Sequence, residues 1–360
     1  MSNSVDLFSP IELGQLALNN RAIMAPLTRA RASADHIPND LMVEYYAQRA
    51  SAGLIIAECT MVMEGTSAFM AEPGIYNEEQ IAAWKKVTDA VHERGGKIVL
   101  QIWHAGRACH PELNDGKTPV AASALAIRDE LVHTPPSGKQ AYTVPRALEV
   151  DEIASIVAAF KQGAKNAKRA GFDGVEIHGA NGYLIDNFLR DGSNLRTDEY
   201  GGSVENRARF LLEIVKEVVE VWGDPGRVGL RTSPLNGFND MKDSDPVGLV
   251  RYLAKQLNAF DLAYWHVMRA DLKGVQKADV LKPARENYQG YLMANVGYSA
   301  QEATTAIAEN QVDVVAFGVP FIANPDLVER FKKNAPLNEA KPEHFYLGGA
   351  EGYTDYPVMA

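Results

Sequence analysis

The chain of 360 residues carries 36 Lys and Arg against 46 Asp and Glu, a formal net charge of -10. That balance lacks the basic stripe that a nucleic acid or an anionic membrane surface attracts. Hydrophobic residues at 46% and charged residues at 23% suit a soluble globular protein with a sizeable core, and two cysteines, Cys59 and Cys109, are too few for a disulfide framework or an iron–sulfur ligand set.

The opening residues, Met1 to Asp6, lack a basic segment followed by an apolar stretch. No signal peptide is expected, no apolar run approaches a membrane span, and a reducing cytoplasm is the expected location. Residues 4–18 read as a small β-hairpin closing the bottom of a barrel. Short apolar strands are expected at 21–27, 54–60, 97–104, 174–179, 227–234, 262–268, 290–296 and 312–318. Helical patterns fall between them at 77–94, 151–170, 204–222, 246–258, 300–309 and 325–333, with acidic residues or caps at their starts and glycines at several ends. Eight strands, each followed by a helix or a helix-length connection, predict an α/β fold, a (β/α)₈ TIM barrel, as one domain over residues 1–360. An open doubly wound sheet is the competitor, but no dinucleotide fingerprint follows the first strand. Residues 105–148 form a long loop after the third strand, rich in Pro, Ser, Thr and Gly. Loops of that length are usually functional lids or disordered, and this one follows a strand's C-terminal end, where barrel active sites sit.

Polar residues at the C-terminal ends of barrel strands are the candidates for a site. The fourth strand ends in His178-Gly179-Ala180-Asn181-Gly182-Tyr183. An imidazole, a carboxamide and a phenol within one turn of chain are what is needed to polarise a carbonyl and protonate the carbon skeleton attached to it. Taken singly, each has a plainer reading. His178 could be structural or a metal ligand, although His92-Glu93 lacks the second His of a zincin motif. Tyr183 could be a core phenol, Arg231 half of a buried ion pair and Gln101 a satisfied core amide.

The strand ends and several further blocks resemble the old yellow enzyme family of FMN-dependent ene-reductases. The blocks run in order along nearly the whole chain: Met24-Ala25-Pro26-Leu27-Thr28-Arg29, Glu44-Tyr45-Tyr46-Ala47-Gln48-Arg49-Ala50, the His178–Tyr183 run, 198–207 from Asp198-Glu199-Tyr200-Gly201-Gly202 to Asn206-Arg207, and Gly352-Tyr353-Thr354-Asp355-Tyr356-Pro357. The resemblance implies non-covalent FMN, with NADPH or NADH as reductant. The implied reaction delivers hydride to the β-carbon of an alkene conjugated to a carbonyl, imide or nitro group. It also implies roles. His178 and Asn181 hold the substrate oxygen, and Tyr183 protonates the α-carbon. Gln101 satisfies the flavin pyrimidine, and Arg231 lies near N1, where a unit charge about 4 Å away is worth up to about 4 kcal/mol at a surface-like dielectric. Thr28 tunes the C4 and N5 side, while Pro26, Leu27 and Cys59 contribute backbone contacts. Phe69 lies where many relatives carry Tyr beside the substrate, and Tyr353 matches a residue flanking the pocket in some relatives. Trp103 is expected, from its own place at a strand end, to pack near the substrate and shape the site, with core packing as its plainer reading.

One position departs from the family pattern. Where the family has Gly-Arg after the eighth strand, with the Arg on the FMN phosphate, this chain has Gly318-Val319. Phosphate binding would then rest on backbone N–H groups around Asn295, Gly297, Gly318 and Val319, so FMN should be lost more easily on dilution. The expected partners are small-molecule activated alkenes, on a monomer or homodimer with no metal. Two other readings compete. One is a flavin-independent, phosphate-binding barrel lyase or isomerase using His178 and Glu176 as acid and base; the other is a flavin-binding protein without reductase activity.

Overall fold

A computed structural model describes residues 5–135 and 137–359. The expectations that concern residues 1–4, including the start of the N-terminal hairpin, lie outside these. Eight parallel strands close into a barrel: Ala22–Met24, Leu54–Met61, Ile98–Trp103, Gly174–Gly179, Val228–Thr232, Tyr264–Met268, Leu292–Asn295 and Val314–Phe317, with the last pairing back to the first. Helices lie between successive strands, and the expected (β/α)₈ TIM barrel is what forms. No helix among the described residues is long and apolar enough to cross a membrane.

The alternation of side chains explains why these strands read as continuous apolar runs. On the fourth strand, Val175 and Ile177 pack outward into the layer shared with the helices. Glu176 and His178 point inward, where Glu176 meets Gln101 and His266. Below them Ile23, Leu54, Ile56, Val99, Met293 and Val314 fill the barrel, and the hairpin Ile11–Leu13/Leu16–Leu18 plugs the floor with Leu13, Leu16 and Leu18. The hairpin turns at Gly14 with φ 63°, where an added Cβ would lie 2.5 Å from the Gly226 carbonyl, so both its conformation and its contact demand glycine.

Several boundaries differ from those expected. The first strand, expected over 21–27, spans Ala22–Met24 because Pro26 has no N–H to continue the ladder. The second strand shifts register between Ala57 and Thr60. Such an irregularity re-aims side chains. Cys59 faces the mouth of the barrel, while the buried Glu58 accepts from the Arg29 N–H at 3.1 Å and the Tyr46 hydroxyl at 3.0 Å. The short helices Leu184–Leu189, Leu281–Asn287 and Val319–Ala323, of two turns or fewer, and the nine-residue helix Asp40–Gln48 were not expected. The loop 105–148 carries structure of its own: Val120–Ala121 pairs with Arg146–Ala147, and Leu131–Thr134 pairs with Gly138–Ala141.

Burial pushes the Glu58 carboxyl up to about 7, against backbone and hydroxyl donors that pull it down. A carboxyl raised on folding stabilises below its unfolded value, and that contribution is lost as pH rises through 7. The cost of ionising it in place is about 3 kcal/mol. Denaturant titrations should therefore show this contribution vanishing between about pH 4.5 and 7, and the limb should be missing in Glu58→Gln.

Candidate active site

The C-terminal ends of the strands surround a cavity of about 980 Å³. Pro26, Leu27, Thr28, Cys59, Phe69, Gln101, His178, Asn181, Tyr183, Arg231, Asn295, Gly297, Gly318 and Val319 all line it. With Met268 from the sixth strand, residues from all eight strand ends or the loops after them reach one space, although they span almost 300 positions of sequence.

The register sets the polar wall. Gln101 pairs with Glu176, and His178 with Arg231, on adjacent strands. Gln101 donates from Nε2 to Glu176 at 2.7 Å. Its Oε1 is left as the acceptor for an N–H donor in the cavity. Glu176 accepts a second bond across the barrel from His266 Nδ1 at 2.9 Å. Arg231 is 7% exposed and forms neither a hydrogen bond nor an ion pair with any described residue; its Nε is buried without a partner. Burial depresses its pKa, opposed by Glu176, yet a guanidinium keeps its charge. A fixed cation of this kind fits a ring that gains negative charge.

His178 is held neutral. Burial, with the Arg231 guanidinium and His266 close by, pushes the imidazole well below its ordinary value. Its Nδ1 has no partner among the described residues. Neutral imidazole donates from one nitrogen only, so it offers a hydrogen bond without a formal charge. Asn181 stands in the left-handed region at φ 59°, a conformation Asn tolerates. The next residue, Gly182 at φ 72°, has no room for a Cβ, which would lie 2.6 Å from Asn239. These two turns bring Tyr183 back beside His178, with ring centroids 5.1 Å apart. Burial pushes the Tyr183 phenol well above its ordinary value, and it stays protonated across the physiological range.

Two expected contacts fall elsewhere. Trp103 is fully buried and does not line the cavity. It stands behind the wall, edge-on to Tyr183 at 4.4 Å and 6.2 Å from Phe69. Packed against the Tyr183 ring in this way, it braces the site from behind. Tyr353 is also fully buried and stacks on Tyr45 at 4.1 Å. The Arg29 and Arg31 guanidiniums lie 5.1 and 5.0 Å from its ring. The same arginines donate to the carbonyls of His344, Phe345 and Gly352 and strap this segment to the barrel. The C-terminal aromatics in the cavity are Phe345 and Tyr346, the latter stacked on Phe69 at 5.7 Å. Tyr142, Asn236, Phe238 and Leu272 also line the cavity and were missed. They sit on loops, where no period marks which side chains turn inward.

Cys59 and Thr28 meet at 3.0 Å between Sγ and Oγ1. Burial raises the thiol well above its ordinary value, which keeps it protonated and unreactive. At the far end, Val296 and Gly297 both have positive φ, at 82° and 72°. That is a strained conformation for a β-branched residue, of the kind stored at functional sites. Val319 opens the short helix Val319–Ala323; among the described residues no cationic side chain lines this part of the cavity, although the Arg269 guanidinium lies behind it and donates to the Val296 carbonyl at 2.8 Å. Supplying one should matter. Val319→Arg is expected to hold FMN roughly 10- to 100-fold more tightly, the worth of a charge-assisted contact. Flavin fluorescence released on serial dilution measures it, and unchanged retention would refute the backbone-only reading.

Residues 6–338 match the NADH:flavin oxidoreductase / NADH oxidase family. A probable flavin mononucleotide-dependent alkene reductase of Leishmania infantum is 48% identical over 364 residues, covering 99% of both chains. Among solved structures, the old yellow enzyme from Trypanosoma cruzi superposes with a TM-score of 0.96 at 45% identity over 100% of both chains. Morphinone reductase in complex with tetrahydroNAD superposes at 0.94 with 46% identity, over 99% of this chain and 98% of that one.

Proposed function

Because the chain belongs to the NADH:flavin oxidoreductase / NADH oxidase family and is an FMN-dependent oxidoreductase of C=C bonds, with NAD(P)H as reductant, we propose that it reduces alkenes conjugated to a carbonyl, imide or nitro group, with His178, Asn181 and Tyr183 as its catalytic residues. Bound FMN would supply the hydride chemistry that links the nicotinamide to the alkene's β-carbon. The protein's share is to hold the substrate, stabilise developing charge and supply a proton. His178 and Asn181 donate to the oxygen of the activating group, which becomes more negative as the β-carbon is reduced. Tyr183 gives its phenolic proton to the α-carbon, and the phenol recovers a proton from solvent through the cavity mouth.

Gln101 would meet the flavin pyrimidine with Oε1, and Arg231 would stabilise the reduced, anionic ring. Thr28, Pro26, Leu27 and Cys59 would flank the ring, and the amides at Asn295, Gly297, Gly318 and Val319 would cradle the phosphate. The observation that carries this reading is Arg231, a buried guanidinium on the cavity wall with no acceptor among the described residues. The rival acid–base role for Glu176 finds no support: that carboxylate is fully buried, committed to Gln101 and His266, and off the cavity wall.

The substrate is proposed to be a bulky enone. About 980 Å³ exceeds what the cofactor ring alone requires, and the rim carries Phe238, Leu272, Leu131 and Tyr346. We take the whole chain as one catalytic unit. The purified protein should be yellow, bleach anaerobically with NADPH, and recover its colour with 2-cyclohexenone. A colourless protein that takes up no flavin, or a bleached one that no enone reoxidises, would overturn the proposal.

A further inference from the structure

We propose that Asn236 is a positioning residue, which turns the Asn181 carboxamide so that its NH₂ group faces the substrate oxygen. This rests on the reading above, in which Asn181 holds that oxygen. Asn236 is 1% exposed and lies on the loop after the fifth strand, which also holds Ser233 and Asn239. The Asn181 N–H donates to Ser233 Oγ at 2.7 Å, and its carbonyl accepts from Asn239 Nδ2 at 2.9 Å. Its side-chain Oδ1 accepts from Asn236 Nδ2 at 2.9 Å.

The two ends of a carboxamide have nearly the same shape, so its orientation follows from its partners. Here the chain of partners begins at a group that only donates. The Leu272 backbone N–H donates to Asn236 Oδ1 at 3.3 Å. That leaves the Asn236 NH₂ to face Asn181, and Asn181 must answer with its oxygen. The Asn236 carbonyl also accepts from the buried Arg190 Nη1 at 2.6 Å, which fixes the loop. With Oδ1 occupied, Asn181 presents a donor to the cavity. A free amide would turn its oxygen to the cavity for part of the time and repel a carbonyl.

Asn236→Asp reverses the polarity at constant shape. Leu272 still donates to one carboxylate oxygen, the other must accept from Asn181 Nδ2, and the Asn181 oxygen then faces the cavity. The assay is anaerobic reoxidation of the reduced holoenzyme by 2-cyclohexenone. It follows the return of the flavin band and separates the apparent Kd from the limiting rate. Asn236→Asp should lose about 10²-fold in the limiting rate, the effect of one oxyanion donor, with FMN content and oxidised spectrum unchanged. Asn236→Leu, which frees the amide without reversing it, should lose about two- to threefold through the fraction correctly turned. In an Asn181→Ala background neither change should cost anything further, whereas a structural or purely electrostatic effect would persist.

Asn181→Ala slow and Asn236→Asp normal would overturn the inference alone. Asn181→Ala at the wild-type rate would overturn the underlying reading as well. Should Asn236→Asp fail to load FMN, Asn236→Leu decides: a loss that vanishes without the Asn181 amide supports the inference, and one that persists refutes it.

Discussion

Tyr183→Phe is expected to slow enone reduction by about 10²- to 10⁴-fold, the usual worth of a positioned general acid. The substitution removes one oxygen and leaves the ring, so the edge-on contact with Trp103 at 4.4 Å survives. FMN binding and the bleaching of the flavin by NADPH should be unchanged, because neither needs a proton at the α-carbon. The loss should appear only when the enone is added. The proton is available at every pH of interest, since burial holds this phenol well above its ordinary value. The reaction should therefore show no fall from phenol ionisation on the alkaline side up to about pH 10. Stopped-flow traces of the two half-reactions separate the effects. Unchanged enone turnover in Tyr183→Phe would remove the phenol from the mechanism, whatever its position beside His178.

Placement along the chain decides which of these residues were legible in the sequence. Barrel strands are buried on both faces, so all eight appear as short apolar runs, and each run delivers the chain to the mouth at its C-terminal end. His178, Asn181 and Tyr183 share one strand end, where spacing along the chain carries over into space. Gln101, Arg231 and Cys59 each lie at or near a strand end too. Tyr353 shows the limit. Its block matched a family pattern, but sequence does not reveal that Arg29 and Arg31 draw this segment against the barrel and leave Tyr346 in the cavity. Trp103 shows where the pleat stops deciding: two residues beyond the cavity-lining Gln101 it belongs to the same face, yet as the strand's last residue, past the register shift of the neighbouring strand, it packs against Tyr183 behind the wall. Asn236 and Tyr142 come from loops whose path is set by tertiary contacts, so no period marked them.

His178→Ala should cost about 10²- to 10³-fold in the limiting rate of enone reduction, the usual effect of deleting one donor to a developing oxyanion. Its protonation state decides whether the imidazole acts as a neutral donor or as an acid. Burial, Arg231 and His266 all push its pKa below the ordinary value. A histidine depressed on folding is neutral in the native state across the working range, and its stabilising contribution is lost as pH falls below about 6.5, where the unfolded chain takes up the proton first. An imidazolium acting as the acid would instead give a rate that falls as pH rises through its pKa. The limiting rate should therefore be flat through pH 6 to 8 in the wild-type enzyme. His178→Asn, which keeps a neutral donor, should recover part of the loss, and His178→Phe, which keeps the bulk against Trp103, should recover none. A wild-type rate that drops on the alkaline side near neutrality and flattens in His178→Asn would make the imidazole the proton source and displace Tyr183 from that role. The buried Arg231 argues against that outcome, since a second cation beside a guanidinium that has no ion-pair partner among the described residues would leave both charges uncompensated.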